Sequence, residues 1–115
     1  MVIALATDDR SLKVFASVES ALAYCEGIDV EDGVWRFWDS SGQVLQPVFS
    51  HPNERGRFSV HNGSYRLEPA AASALPPLQE ELRRGVSMEP NTSFSSVGSL
   101  LAHLAQSKRV AQHGA

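Results

Sequence analysis

The stretch Gly33-Val34-Trp35-Arg36-Phe37-Trp38-Asp39-Ser40-Ser41-Gly42, continued by Gln43-Val44-Leu45-Gln46-Pro47-Val48-Phe49-Ser50, decides the fold. Val34 to Asp39 is β-branched and aromatic, and such side chains suit a pleated, half-buried surface. Strand side chains alternate, so Trp35 and Phe37 share one face while Val34, Arg36 and Trp38 share the other. Ser40-Ser41-Gly42 reads as a tight turn and Gln43 to Ser50 as the return strand. Two strands joined by so short a turn run antiparallel. Pro47 has no N–H for a ladder, which puts the return strand at an edge or at a bulge.

Downstream, His51 to Gly56 reads as a loop. Phe58 to His61 and Ser64 to Leu67 flank Asn62-Gly63, the dipeptide that most favours a two-residue hairpin turn. Ala74 to Arg84 carries Leu75, Leu78 and Leu82, with Pro76 and Pro77 in the first turn, where proline is tolerated. Gly85 stops this helix, and Val86 to Phe94 is a connector. Ser96 to Ala111 places Val97, Leu100, Leu101 and Leu104 on one stripe, with Lys108 and Arg109 in the last turn to complement the helix dipole.

Upstream, Val18, Ala21, Leu22 and Cys25 line one stripe of a helix over Ser17 to Glu26, with Ser17 as N-cap and Gly27 as the stop. Val2 to Ala6 and Leu12 to Phe15 are strand-like around a turn-forming Thr7 to Ser11, as a hairpin or as one ragged strand. The order strand–helix–strands–helix–helix predicts an α+β fold: a small antiparallel sheet of three to five strands with helices packed on one face. The 115 residues read as one domain, 1–115, with 105–115 as a frayed tail.

Composition narrows the function classes. Hydrophobic residues are 43% and charged residues 20%, which suits a globule rather than a disordered chain. The net charge of −3 argues against a nucleic-acid binder that works by broad basic attraction. Met1 to Thr7 has no basic start and is followed by Asp8-Asp9, unlike a secretory signal, and no window reaches the length of a membrane span. The expected location is the cytoplasm.

Candidate chemistry is sparse. Cys25 lies on the apolar stripe near a helix C-terminus, a core position that disfavours a thiolate. His51, His61, His103 and His113 show no metal-ligand spacing. Asp29-Val30-Glu31-Asp32-Gly33 fails as a calcium loop, because its fifth position is Gly33 and its twelfth is Ser40. Glu80 and Glu81, beside Arg83 and Arg84, read as a solvated helix face. No catalytic residue, no metal site and no cofactor is expected. The charge distribution says more. Residues 16–50 hold Glu19, Glu26, Asp29, Glu31, Asp32 and Asp39 against Arg36 alone, a net charge of −5. Such a segment is either a solvated loop or a patch that recruits a basic partner.

Residues 15–45 carry a recognisable pattern: Phe15, Ser17 and Glu19, then Ala21, then Glu26 with Asp29-Val30, an aromatic strand ending in Asp39, then Gly42 and Leu45. This resembles small bacterial immunity proteins of toxin–immunity systems, including contact-dependent growth inhibition. The resemblance implies a non-enzymatic protein that binds a toxin domain, expected here to be a basic nuclease, and occludes its active site. The expected toxin-binding residues are Asp29, Glu31, Asp32 and Asp39, with Glu26 less central; Trp38 is either an aromatic anchor or a core residue buried against a second layer. The expected partner is a basic protein, with neither nucleic acid nor membrane. The competing readings are a small enzyme, marked by a pocket where His61 or His51 meets a carboxylate, and a regulatory protein-interaction module without a toxin.

Overall fold

Val2-Ile3-Ala4-Leu5-Ala6 has no polar position, and a strand apolar on both faces belongs between two covering layers. The computed structural model, which describes residues 1–56, 59–70, 77–91 and 93–113 with side chains as far as residue 106, places it there. The elements are β1 (Val2–Ala6), β2 (Ser11–Phe15), α1 (Val18–Tyr24), α2 (Gly27–Glu31), β3 (Trp35–Asp39), β4 (Val44–His51), β5 (Glu54–Arg55), β6 (Val60–His61), β7 (Ser64–Pro69), α3 (Leu78–Arg84), β8 (Ser87–Met88) and α4 (Val97–His113). Six strands form one sheet in the order β7-β4-β3-β1-β2-β8, and β5 and β6 form a small separate ladder. β1 pairs antiparallel with β2 on one side and β3 on the other, and β2 pairs parallel with β8.

The α+β class holds, with a larger sheet and a different layering. Residues 1–15 form a hairpin, and Ser87-Met88, read as connector, adds an edge strand, so there are six strands rather than three to five. Helices cover both faces rather than one. On the first face Ile3, Leu5, Leu12 and Trp38 pack with Leu78 and Leu82 of α3, Phe94, and Leu100 and Leu104 of α4. On the second, Val2, Ala4, Phe37 and Leu45 pack with Ala21 of α1, with Cys25 at its C-cap and with Val30 of α2. β1 could leave neither face in water without exposing apolar surface, so it recruits both layers. Leu22 and Trp35 are half-buried at the margin of the second layer.

Leu104 of α4 is fully buried against the first face of the sheet. Leu104→Ala is expected to destabilise by about 2–5 kcal/mol in urea unfolding. A loss below about 1 kcal/mol would mean that α4 does not seal this face.

Pro47 explains where β3 and β4 part. Asp39 N–H donates to Gln43 C=O, so the odd-numbered residues of β4 turn their backbone groups toward β3. Pro47 therefore lacks its N–H on that side. The β3–β4 ladder stops at Leu45, while β4 stays paired with β7 to His51, with an irregularity between Phe49 and His51.

Two turn assignments change. Gly27 does not stop a helix; it opens α2, after Cys25 ends α1 in an extended conformation. Asn62-Gly63 does not join two paired strands. β6 pairs back with β5, β7 pairs with β4, and Asn62 Oδ1 accepts from Ile28 N–H at the start of α2. The α3 helix starts at Leu78 after Pro77; Phe58 and residues 74–76 lie outside the described residues. So do the side chains of 107–113, His113 among them, although the α4 backbone runs to His113.

Candidate binding surface

The acidic segment is shaped by the loop after β4. Asn53 Nδ2 donates to Gly27 C=O at 3.0 Å and to Glu31 Oε2 at 3.1 Å, while its Oδ1 accepts from Gly63 N–H at 2.7 Å. One asparagine thus ties the loop to both ends of α2. The fit is close: a Cβ on Gly27 would lie 2.5 Å from Asn53 Oδ1. Arg55, on β5, reaches the same helix, with Nη2 at 2.9 Å from Asp32 Oδ1 and 3.3 Å from Glu31 Oε1. Hydrogen bonding to Glu31, then the charge of Asp32, raises the Arg55 pKa above its ordinary value. All three side chains are about half exposed, so water screens the pairs and they contribute little to stability.

The other end of α2 meets the β1–β2 turn. Thr7 N–H donates to Val34 C=O at 2.7 Å, and Thr7 Oγ1 donates to Gly33 C=O at 2.8 Å. This clasp sets Asp8 and Asp9 beside the Glu31–Gly33 turn. All four of Asp8, Asp9, Glu31 and Asp32 are exposed, and Asp29 is half-buried behind them. The Ser11 hydroxyl, and then the Ser11 backbone N–H, hold the Asp9 carboxyl below the usual carboxylate range. Residues 1–15 are electrically balanced as a segment, which hid Asp8 and Asp9 from segment counting. Their place at a turn next to an apolar strand was the available clue, because such turns lie at the end of a sheet.

The remaining expected contact residues do not join this surface. Asp39 sits at the opposite end of β3, about 13 Å away along the strand. Its Oδ1 accepts from Ser41 N–H, Ser41 Oγ and Gln43 N–H, which makes it the cap of the β3–β4 turn. Trp38 is fully buried against α3 and α4 and cannot anchor a partner. Its side alternates with Phe37, and both faces of β3 turned out to be covered. Glu26 is exposed at the N-terminal end of α2.

The chemistry-bearing side chains are dispersed. Cys25 is fully buried, and burial first, then the charge of Asp29, pushes its thiol up to about 12. The thiol therefore stays protonated at neutral pH. Iodoacetamide at pH 8 is expected to leave Cys25 unmodified in the folded protein and to modify it in urea, as mass spectrometry would show. The native state keeps a proton that the unfolded chain releases near pH 9, so this group's contribution to stability is present below pH 9 and fades between about pH 9 and 12. Tyr65 Oη donates to Cys25 C=O at 2.6 Å, and burial raises its pKa as well. His103 places Nε2 2.9 Å from Ser40 C=O, pinning α4 to the β3–β4 turn. His61 lies across from Glu54 in the β5–β6 register, and His51 Nδ1 is 3.4 Å from Ser50 Oγ. Both histidines are exposed.

Glu81 is the largest departure from expectation. It is fully buried rather than solvated, whereas Glu80 is exposed. Three arginines surround it: Arg10 Nη1 at 2.9 Å from Oε2, and Arg84 and Arg36 Nη1 at 3.5 and 3.7 Å from Oε1. The Arg10 contact is an ion pair without an aligned hydrogen bond, since Oε2 accepts none among the described residues. The other guanidinium nitrogens of Arg10 cap α3, donating to Glu81 C=O at 3.0 Å and Gly85 C=O at 2.8 Å. The sequence carries a clue: Leu78, Glu81 and Leu82 fall at i, i+3 and i+4, so Glu81 lies on the buried stripe.

No protein-family model, curated protein or solved structure matches the chain. No helix among the described residues is long and apolar enough to cross a membrane.

Proposed function

We propose that the protein is a non-catalytic binding protein of the immunity type, which covers the active site of a basic toxin domain with the acidic end of its sheet. The observation that carries this reading is the convergence of Asp8 and Asp9 with Glu31 and Asp32, from segments more than twenty residues apart, through the Thr7 clasp. Glu31 and Asp32 pair with Arg55, while Arg10, next to Asp8 and Asp9 in the chain, is turned toward Glu81. The resemblance over residues 15–45 favours the same class. Carboxylates arrayed in this way take the place of substrate phosphates in a nuclease, and they steer a basic domain toward encounter. Asp29 and Glu26 extend the surface along α2; Asp39 and Trp38 are left out of it.

The test uses the coding sequence adjoining this one. A basic toxin domain encoded there should be inactivated by co-expression with this chain. Asp8→Lys, Glu31→Lys and Asp32→Lys together should abolish growth protection and weaken binding by about 2–5 kcal/mol. Association with the wild-type chain should slow as salt shortens the screening length toward ~8 Å. Glu80→Lys, on the far side of α3, should leave both unchanged. Full protection by the triple variant, with unaltered association rates, would sink the reading.

A further inference from the structure

Three arginines meet a single carboxylate between α3 and the sheet. Arg10, Arg36 and Arg84 all lie within 4 Å of Glu81, whose side chain is fully buried. A guanidinium does not lose its proton in a protein, so the cluster carries a surplus of two positive charges. No second carboxylate offsets it by contact. Every Asp and Glu of the chain lies among the described residues, and Glu81 alone comes within 4 Å of any of the three arginines. Asp8 and Asp9 share this end of the sheet but are turned elsewhere. Asp8 Oδ1 accepts from Asp9 N–H, and Asp9 Oδ1 accepts from Ser11 N–H. Lys13, the cation nearest in effect to Asp9, lies on the second face with its ammonium 5.0 Å from the Tyr24 ring centre. Arg36 lies on the first face, paired with Leu5 in the register.

The three arginines are engaged to different degrees. Arg10 uses Nη1 on Glu81 Oε2, and Nη2 and Nε on the carbonyls of Glu81 and Gly85. Arg36 makes no side-chain hydrogen bond among the described residues, and it stands 3.7 Å from Glu81 Oε1. Arg84 makes one, to the same oxygen, at 3.5 Å. Both contacts are at or beyond the length of an effective hydrogen bond. The side chains of Arg36 and Arg84 are 34% and 65% exposed, so their remaining donors open to solvent. Glu81 holds the two like charges side by side where they would otherwise repel. Because both Nη1 atoms border one oxygen, a single small oxyanion can bridge them. A phosphate dianion matches the surplus of two charges, and its oxygens suit the planar fork of a guanidinium. Clustered arginines recognise phosphate groups in this manner.

We propose that Arg36 and Arg84, held by Glu81, form a binding site for a phosphate group, carried by the free anion or by a small phosphate ester. The site takes the opposite charge to the acidic surface, and it stands or falls independently of the binding reading above.

The probes are inorganic phosphate and adenosine monophosphate, titrated into the full chain at constant ionic strength with sodium chloride as the balancing salt. Inorganic phosphate should shift the Nε–H NMR signals of Arg36 and Arg84 along a saturating curve and raise the thermal midpoint with concentration. Chloride alone should do neither. Tighter binding of adenosine monophosphate would support the site as one for phosphate esters, and weaker binding as one for the free anion. Arg36→Gln and Arg84→Gln should each weaken phosphate binding tenfold or more. Their contacts with Glu81 are long and partly in water, so neither change should unfold the chain. Arg84→Lys keeps the charge without the fork and should recover only part of the affinity. Arg66→Gln, which breaks the ion pair with Glu68 on β7, should leave binding unchanged. A linear shift that chloride reproduces would overturn the proposal. So would an equal loss in Arg66→Gln, or a saturating shift confined to other basic residues. The titration of the wild-type chain decides by itself if a variant fails to fold.

Discussion

Arg10→Ala is expected to destabilise the protein by about 3–5 kcal/mol, the loss usual when a buried charge loses its partner. The three arginines around Glu81 are not equivalent. Arg10 makes the shortest contact with the carboxylate, and it also holds the last carbonyls of α3. Arg36 and Arg84 stand at 3.7 and 3.5 Å, and the Arg84 side chain is 65% exposed, so each removal should cost about 1 kcal/mol or less. Without Arg10, a carboxylate with no exposure keeps two distant cations and α3 loses its cap. Arg10→Lys should recover little, since a single ammonium cannot serve a carboxylate and two carbonyls with the fork geometry of a guanidinium. Adding Glu81→Leu to Arg10→Ala removes the stranded charge and should restore part of the loss. Urea unfolding of the single and double variants measures all of this. If Arg10→Ala and Arg84→Ala cost the same, Arg10 holds no special place in the cluster.

Gly63→Ala is expected to be the most damaging methyl addition among the described glycines. A Cβ there would overlap His51 C=O and lie 2.6 and 2.7 Å from the Pro52 carbonyl carbon and oxygen. These are backbone atoms and cannot swing aside. Overpacking of this kind costs about 1–3 kcal/mol, and rigid neighbours put this site at the upper end. The consequence should be local as well as global. Gly63 N–H bonds to Asn53, and the adjacent Asn62 caps α2 through Ile28, so relocating this backbone releases the start of α2. Faster hydrogen exchange at the Ile28 amide would report it. Gly98→Ala, exposed near the start of α4 with Ser96 Oγ 3.6 Å from the new methyl, should be neutral or slightly stabilising. Equal effects at the two sites would refute the steric account.

The strand pattern around Trp35 to Asp39 was legible because alternation and turn chemistry are local properties. The return strand and the stripe of α4 were legible for the same reason, whereas residues 1–15 left a hairpin and one ragged strand both open, because the turn-forming run between the two apolar pieces does not say whether they pair. α2 was not: five residues give a helix no periodicity, and Gly27 looks like a terminator until the loop that packs against it is known. Asn62-Gly63 misleads because a dipeptide's preference for a hairpin turn yields to a cap and a close backbone approach supplied from elsewhere. Asp39 looks available in sequence because the turn it caps draws on Ser41 and Gln43, and for Trp38 the alternative of burial against a second layer is the one the structure shows. The acidic surface was half legible. Its α2 residues stand together in sequence, whereas Asp8 and Asp9 reach it only through tertiary contact.

The position of β1 bears on how the chain avoids misassembly. β1 lies at the heart of the sheet, yet it precedes every one of its partners in the chain. Its five uncharged apolar residues form the kind of segment that associates with copies of itself while unpaired. The hairpin with β2 closes locally, within fifteen residues, but β3 arrives only after residue 35. During that interval one side of β1 is a bare apolar edge. Asp8 and Asp9, directly after it, are placed to act as gatekeepers whose like charges hold such edges apart. A pair of aspartates proposed to meet a partner in the finished protein would, on this account, have an earlier task in the unfinished one. Neutralising both should therefore lower soluble yield as well as binding.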